Sequence, residues 1–103
     1  AYFEPMDPNV LLCEMHKWRR ADVGRHAGGD LEKALARITA KTFVMPIDHD
    51  LFFPPDECAA DAAMIAGASV RVIQSKEGHM GLNGFEPTYM AQVDAALSEV
   101  LAA

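Results

Sequence analysis

The fold of this chain is decided by one short stretch, Thr42-Phe43-Val44-Met45, which Pro46 follows directly. The run is continuously apolar rather than alternating, a pattern typical of a strand buried on both faces of a parallel sheet. Pro46 limits regular pairing much beyond this point. A second strand is predicted at Ser69-Val70-Arg71-Val72-Ile73. The two strands predict a parallel sheet.

Helix signals alternate with these strands along the chain. Helices are predicted from Pro8 after Asp7, from Leu31 after Asp30 to about Arg37, from about Pro55 to Ala66 before Gly67, and from Pro87-Thr88 onward. Strands that alternate with helices predict right-handed parallel crossovers and an α/β fold class. Two such strands cannot cover their own faces or edges. We therefore expect the chain to be the C-terminal part of a larger α/β domain.

Composition narrows the function classes. The 103 residues suffice for one small domain at most, and half of them are apolar, which argues against disorder. The net charge of −6 argues against a nucleic-acid partner. No apolar run approaches the roughly 20 residues that span a bilayer. Cys13 and Cys58 form no disulfide-rich or metal-binding pattern, so we expect free, buried thiols and a cytoplasmic location.

Ionisable side chains follow both predicted strands, where ligands gather in open α/β sheets. The first loop carries Asp48, His49 and Asp50, and the second carries Glu77 and His79. In neighbouring strands, an acid from one loop can face the imidazole from the other. Such an acid fixes the imidazole tautomer and stabilises the imidazolium that forms when a nucleophile gives up its proton. The chain order of acid and then histidine is the order used in α/β-hydrolases.

Residues 30–101 resemble the end of homoserine O-acetyltransferase and its esterase-like relatives. The resemblance centres on the stretch Asp50-Leu51-Phe52-Phe53-Pro54-Pro55 and on Gly78-His79. It implies that Asp50 is the acid and His79 the base of a Ser-His-Asp triad. The segment from Met6 to Gly24 is similar to the family's helical lid. The resemblance thus divides the chain into the end of the lid region, residues 1–29, and the C-terminal part of an α/β-hydrolase core, residues 30–103.

The resemblance implies a serine-dependent acyltransferase or esterase acting on a small ester or alcohol. No G-x-S-x-G motif occurs, so the nucleophile is expected outside this chain, which alone should be inactive. Acetyl-CoA is the family's acyl donor; no bound cofactor is implied. The relatives also imply that a full-length protein pairs as a homodimer through its lid region. Met80 stands where homoserine acetyltransferases usually have an aspartate that holds the substrate amine, which favours a less polar acceptor.

Several residues keep a second interpretation. Asp50 and Asp48 could each cap a turn, and for Asp48 we favour that structural role. A metal site at Asp48-His49-Asp50 is disfavoured, because adjacent side chains of an extended loop point different ways.

Phe52 and Phe53 either belong to the core or form a wall of the site. Met15 and Trp18 either pack within the lid or line the pocket. The alternative for the whole chain is a non-catalytic module that binds a protein partner.

Overall fold

The computed structural model describes residues 4–102. Two short strands and several helices alternate along the chain. In order they are α1 (Pro8–Trp18), a 3₁₀ helix (Val23–Ala27), α2 (Leu31–Leu35), β1 (Phe43–Val44), α3 (Pro55–Ala63), β2 (Ser69–Val70), a second 3₁₀ helix (Gly78–Asn83) and α4 (Pro87–Leu101). The four predicted α-helices are present, and the two 3₁₀ helices lie outside the predicted helices and strands.

Local capping explains where the first helices begin. The Asp7 carboxylate accepts a hydrogen bond from the Asn9 N–H at 2.8 Å, and Pro8 occupies the first helical position. The Asp30 carboxylate likewise accepts from the Lys33 N–H at 2.9 Å. The ends of the helices are less regular. Two helices stop earlier than predicted, α2 at Leu35 and α3 at Ala63.

The strands β1 and β2 pair in parallel, with Phe43 opposite Ser69 and Val44 opposite Val70. They are shorter than predicted, because regular pairing is interrupted after Val44. A single bridge between Ile47 and Ile73 continues the pairing beyond Pro46. Although Pro46 has no N–H to donate, its carbonyl accepts from the Ile73 N–H at 2.8 Å. The two chain segments therefore stay together up to the loops that follow them.

Few apolar side chains are buried within residues 4–102. The buried apolar residues are Ile47, Ala62 and Ile73, which lie where α3 covers the sheet and where the chain leaves it. None of the residues of α1 is buried, and Leu12 is 68% exposed. Both cysteines are free, but Cys13 is exposed, which corrects the expectation that it is buried. Its helix presents an apolar stripe in which Leu12, Met15 and Trp18 are each at least half exposed.

None of the helices within residues 4–102 is long and apolar enough to cross a bilayer.

Candidate active site

Because the two strands are parallel, the loops that follow them both lie at the carboxyl end of the sheet. The loop after β1 carries Asp50, and the loop after β2 carries His79. The Nδ1 atom of His79 lies 2.9 Å from the Oδ2 atom of Asp50. The acid and the imidazole that the sequence placed on neighbouring loops are therefore in direct contact.

Asp50 is buried, with 4% of its surface exposed, and both of its carboxylate oxygens have partners. While Oδ2 faces His79, Oδ1 accepts hydrogen bonds from the backbone N–H groups of Phe52 at 2.8 Å and Phe53 at 3.1 Å. The turn-capping interpretation and the pairing interpretation of Asp50 thus hold together, one at each oxygen. Its catalytic role stays a prediction.

The hydrogen bonds of Asp50 determine its charge state. Burial by itself would raise the pKa of Asp50, but the hydrogen bonds from His79, Phe53 and Phe52 outweigh burial and hold the pKa below its usual value. Asp50 is therefore ionised at neutral pH, and an ionised carboxylate only accepts hydrogen bonds. His79 must donate its Nδ1 proton to Asp50. In the neutral imidazole, Nε2 is then the nitrogen with a free lone pair, as a general base requires.

A glycine allows the close approach of the two loops. Gly78 has a φ of +53°, in the left-handed region that favours glycine. A Cβ atom at this position would lie 2.6 Å from the carbonyl oxygen of His49. The backbone of one loop therefore packs against the backbone of the other, directly before His79.

Aromatic rings surround the imidazole of His79. The ring centroid of Phe52 lies 4.7 Å from that of His79, and the centroid of Phe53 lies 5.7 Å from it, both with tilted planes. Trp18 of α1 reaches this group, with its centroid 6.4 Å from Phe53. The rings of Phe52 and Phe53 thus form a wall at the site. Trp18 lies beside that wall and remains half exposed.

A second polar group lies next to this pair. The Oδ1 atom of Asp48 accepts from the Ser75 N–H at 3.0 Å and lies 2.9 Å from Nδ1 of His49. The Ser75 hydroxyl donates to Oε2 of Glu86 at 2.5 Å. The Ser75 N–H, followed by the His49 imidazole, lowers the pKa of Asp48; the hydrogen bonds from Ser75 and Thr88 lower that of Glu86.

Ser75 and Glu86 were not singled out from the sequence. Glu86 directly precedes the helix that Pro87 opens, where an acid is ordinarily explained by the helix dipole. Ser75 lies in the loop after β2. Nothing in the local pattern indicates that its hydroxyl is buried against Glu86. Turn capping was expected for Asp48, but its carboxylate instead accepts from the Ser75 N–H, 27 residues away, and joins the two loops.

The acidic loop was also considered as a metal site. In the described part of the chain, no three His, Cys, Asp or Glu side chains are grouped closely enough to hold a metal ion. Asp48 pairs with Ser75 and His49, whereas Asp50 pairs with His79. The two carboxylates therefore have separate partners.

The chain is similar to known esterases. It is 53% identical over 100 residues to the ethyl acetate hydrolase of Pseudomonas veronii, an alignment that covers 97% of this chain and 29% of that protein. The crystal structure of the acetyl esterase MekB superposes with a TM-score of 0.92 at 52% identity, covering 99% of this chain and 30% of that one. No protein-family model matches the chain.

A more distant similarity connects the chain to acyltransferases. The homoserine O-acetyltransferase of Thermobifida fusca is 40% identical over 82 residues, which is 79% of this chain and 20% of that protein. The resemblance seen in the sequence is thus confirmed, with esterases as the more similar group. The expected fold class, α/β of the α/β-hydrolase type, is confirmed as well. The chain spans less than a third of the length of these relatives.

Proposed function

We propose that this chain, a homologue of α/β-hydrolase-type esterases, supplies the acid and the base of a Ser-His-Asp triad that hydrolyses carboxylic esters. The observation that carries the proposal is the 2.9 Å contact between His79 Nδ1 and Asp50 Oδ2. It fixes the tautomer that leaves Nε2 able to accept a proton. The nucleophilic serine and the oxyanion donors would come from sequence outside these 103 residues.

The serines within the chain do not suit the role of nucleophile. The Ser75 hydroxyl is buried and donates to Glu86. Ser69 lies in β2 and Ser98 in α4, so neither occupies the sharp turn between a strand and a helix that presents a nucleophile. This supports a serine contributed by another part of the protein.

In the proposed reaction, Nε2 of His79 takes the serine proton as the serine oxygen attacks the ester carbonyl. The tetrahedral intermediate collapses, the bond to the alcohol oxygen breaks, and the imidazolium gives its proton to that oxygen. Water then attacks the acyl-serine ester, and His79 takes a proton from the water and returns it to the serine. The products are an alcohol and a carboxylic acid. Asp50 stays ionised throughout and stabilises the imidazolium.

The surroundings of His79 support a small, neutral ester as the substrate. Phe52 and Phe53 offer apolar surface beside the atom that protonates the leaving alcohol. Met80, which follows His79, carries a thioether that cannot pair with a substrate ammonium. The more similar relatives are named for hydrolysis of acetyl esters. We therefore favour hydrolysis of short acetyl esters over acetyl transfer from acetyl-CoA to homoserine.

The test is the activity of the intact protein on ethyl acetate and on 4-nitrophenyl acetate. His79→Ala is expected to lower kcat by at least about 10³-fold, because removing the base of a triad leaves only the residual effect of the oxyanion hole and binding. Asp50→Asn is expected to lower it by up to about 10⁴-fold, since the amide no longer enforces the tautomer. Ping-pong kinetics and labelling by a serine-directed fluorophosphonate should accompany activity.

The matched control is Glu77→Gln, which removes an exposed carboxylate two residues from His79. This variant should keep full activity and labelling. Unchanged turnover in His79→Ala would reject the catalytic role and favour the non-catalytic module instead.

A further inference from the structure

The hydrogen-bond ladder between the two strand segments continues past the strands with a change of acceptor. The N–H groups of Ser69, Arg71 and Ile73 donate to the backbone carbonyls of Thr42, Val44 and Pro46 at 2.8–3.1 Å. The next N–H in this series, that of Ser75, donates to the Asp48 side chain at 3.0 Å. Donor and acceptor are 27 residues apart, as in the preceding pairs. The Asp48 carboxylate thus occupies the place of the next backbone carbonyl.

The Asp48 N–H still donates to the Ile73 carbonyl at 2.9 Å, so the backbone of the first loop leaves the sheet directly after this bond. The Asp50 N–H bonds back to the Ile47 carbonyl at 3.0 Å, which turns the chain immediately after Asp48. The side chain of Asp48 therefore holds the end of the sheet together while the backbone directs Asp50 toward His79.

Ser75, whose N–H donates to Asp48, also lies at the start of the loop that carries His79. Its side-chain oxygen is buried, donates to Glu86 at 2.5 Å and accepts from the Glu77 N–H at 3.2 Å. Gly81 packs over it so closely that a Cβ atom there would lie 3.0 Å from this oxygen. Ser75 is thereby fixed to the segments on both sides of His79.

We propose that Asp48 is a positioning residue for the Asp50–His79 pair. Its carboxylate accepts the next hydrogen bond of the ladder, from the Ser75 N–H, at the point where the loops that carry Asp50 and His79 begin. The proposal rests on the proposed function for its kinetic consequence, but the contact that Asp48 positions can be observed without turnover. What Asp48 must supply is a hydrogen-bond acceptor for the Ser75 N–H rather than a negative charge. The conservative variant separates these two properties.

The kinetic test compares Asp48→Ala with Asp48→Asn in the intact protein. Asparagine keeps a side-chain oxygen for the Ser75 N–H, so kcat should stay within about threefold of the unsubstituted protein. Alanine removes the acceptor, and kcat should fall roughly 10- to 100-fold with KM changed less than about twofold, because a small displacement of catalytic groups slows the chemical step. Because a loss of folded protein would also lower the apparent kcat without changing KM, kcat is expressed per folded molecule, with the folded fraction measured by circular dichroism.

The second readout is the low-field proton resonance of the His79 Nδ1–H, assigned by its disappearance in His79→Ala. The resonance should persist in Asp48→Asn and broaden or vanish in Asp48→Ala. His49→Ala is the matched control, because it removes the exposed imidazole partner of Asp48 and leaves the Ser75 contact in place. This variant should keep both the resonance and kcat.

Asp48→Ser is the second variant, for use if the alanine variant does not fold. It shortens the side chain and withdraws the acceptor from Ser75, so kcat should fall and the His79 resonance should broaden or vanish, as for alanine. A sharp resonance and full kcat in either variant would overturn the proposal. Equal losses in the asparagine and alanine variants would also overturn it, since charge would then be the property that matters. An intact resonance pattern in a protein without esterase activity would reject the proposed function and leave the positioning role of Asp48 standing.

Discussion

The carboxylate of Asp50 serves two partners because its oxygens point in different directions. Two backbone N–H groups hold Oδ1, so the side chain cannot rotate without losing them. Oδ2 is thereby presented to His79 at a fixed angle. The turn that follows Asp50 is thus part of the mechanism that orients the imidazole. A carboxylate held by one partner alone would orient it less strictly.

The ionisation of Asp50 leads to a prediction about acid conditions. Its folded pKa lies below the ordinary value of 3.8, so its contribution to stability is complete above about pH 4 and is lost as the pH falls through the folded pKa. We expect a carboxyl ¹³C NMR titration of the intact protein to give a midpoint below 3.8 for Asp50. His79→Ala should move this midpoint upward, because the His79 contact is the strongest of the interactions that lower it.

A midpoint for Asp50 at or above 3.8, or one that His79→Ala leaves unmoved, would contradict the assigned hydrogen bonds.

Single residues of the site were predictable where the chemistry of the side chain is informative. Asp50 and His79 could be paired because each follows a predicted strand and because the strands were expected to be parallel. Ser75 could not be placed, since a serine in a loop is ordinarily solvated. Its burial depends on Glu86, which belongs to a different element and is 11 residues away.

At the scale of elements, the two loops are joined through backbone as well as side chains. Gly78 packs against the His49 carbonyl, and Asp48 reaches Ser75. The loops therefore form one unit at the edge of the sheet. A change in either loop is expected to disturb the other.

Gly78→Ala tests whether the close approach of the two loops is needed for stability and activity. The substitution adds a Cβ atom 2.6 Å from the His49 carbonyl at a φ of +53°, so the loops must separate. Gly67→Ala is the matched control, because Gly67 also has a positive φ, +75°, but has no atom within 4 Å of the added Cβ. The control should cost only the roughly 1–2 kcal/mol of a left-handed residue and keep kcat. Gly78→Ala should cost more in unfolding free energy and lower kcat; equal effects would contradict the close approach.

Helix starts were predictable and strand lengths were not. An aspartate followed by proline or by a helical segment acts within one turn, so the sequence contains the whole signal for α1 and α2. The length of a strand depends on a partner far along the chain. Here Pro46 interrupts β1, yet its carbonyl still accepts from Ile73. The 3₁₀ helix at Gly78–Asn83 was missed because glycines at both of its ends indicate a loop.

At the scale of the molecule, residues 4–102 leave much apolar surface uncovered. The radius of gyration is 16.2 Å, whereas a compact domain of this length would have about 13 Å. Leu12, Leu51 and Phe85 are each at least two-thirds exposed. The described sheet consists of β1 and β2 alone, so it has an unpaired edge on each side. Such a surface favours association.

We therefore expect the 103-residue chain, produced by itself, to self-associate or to be poorly soluble. Size-exclusion chromatography with light scattering should show species well above 11.2 kDa. Substituting Leu12→Gln together with Met15→Gln should reduce but not abolish association, because the sheet edges remain. A compact monomer at every concentration would contradict this prediction.

The expectation of a larger α/β domain came from the two strands, whose apolar residues suit burial on both faces. Two strands alone cannot cover these faces or their own edges. That argument uses only hydrogen bonding and burial, and its conclusion stays a prediction; the chain covers 30% of the acetyl esterase MekB. The proposed nucleophile could not be located in this way, because no G-x-S-x-G motif occurs among these residues.

The hydrogen bond between the Ser75 N–H and the Asp48 carboxylate also limits where residues can be inserted into the chain or deleted from it. The crossover that contains α3 can gain or lose residues without altering the ladder, because it leaves the sheet and returns to it. A single residue inserted between Val44 and Asp48 has a different effect, since consecutive side chains of an extended segment point to opposite faces. It would turn Asp48 away from Ser75. We therefore expect insertions and deletions to be tolerated in the crossover and not between Val44 and Asp48.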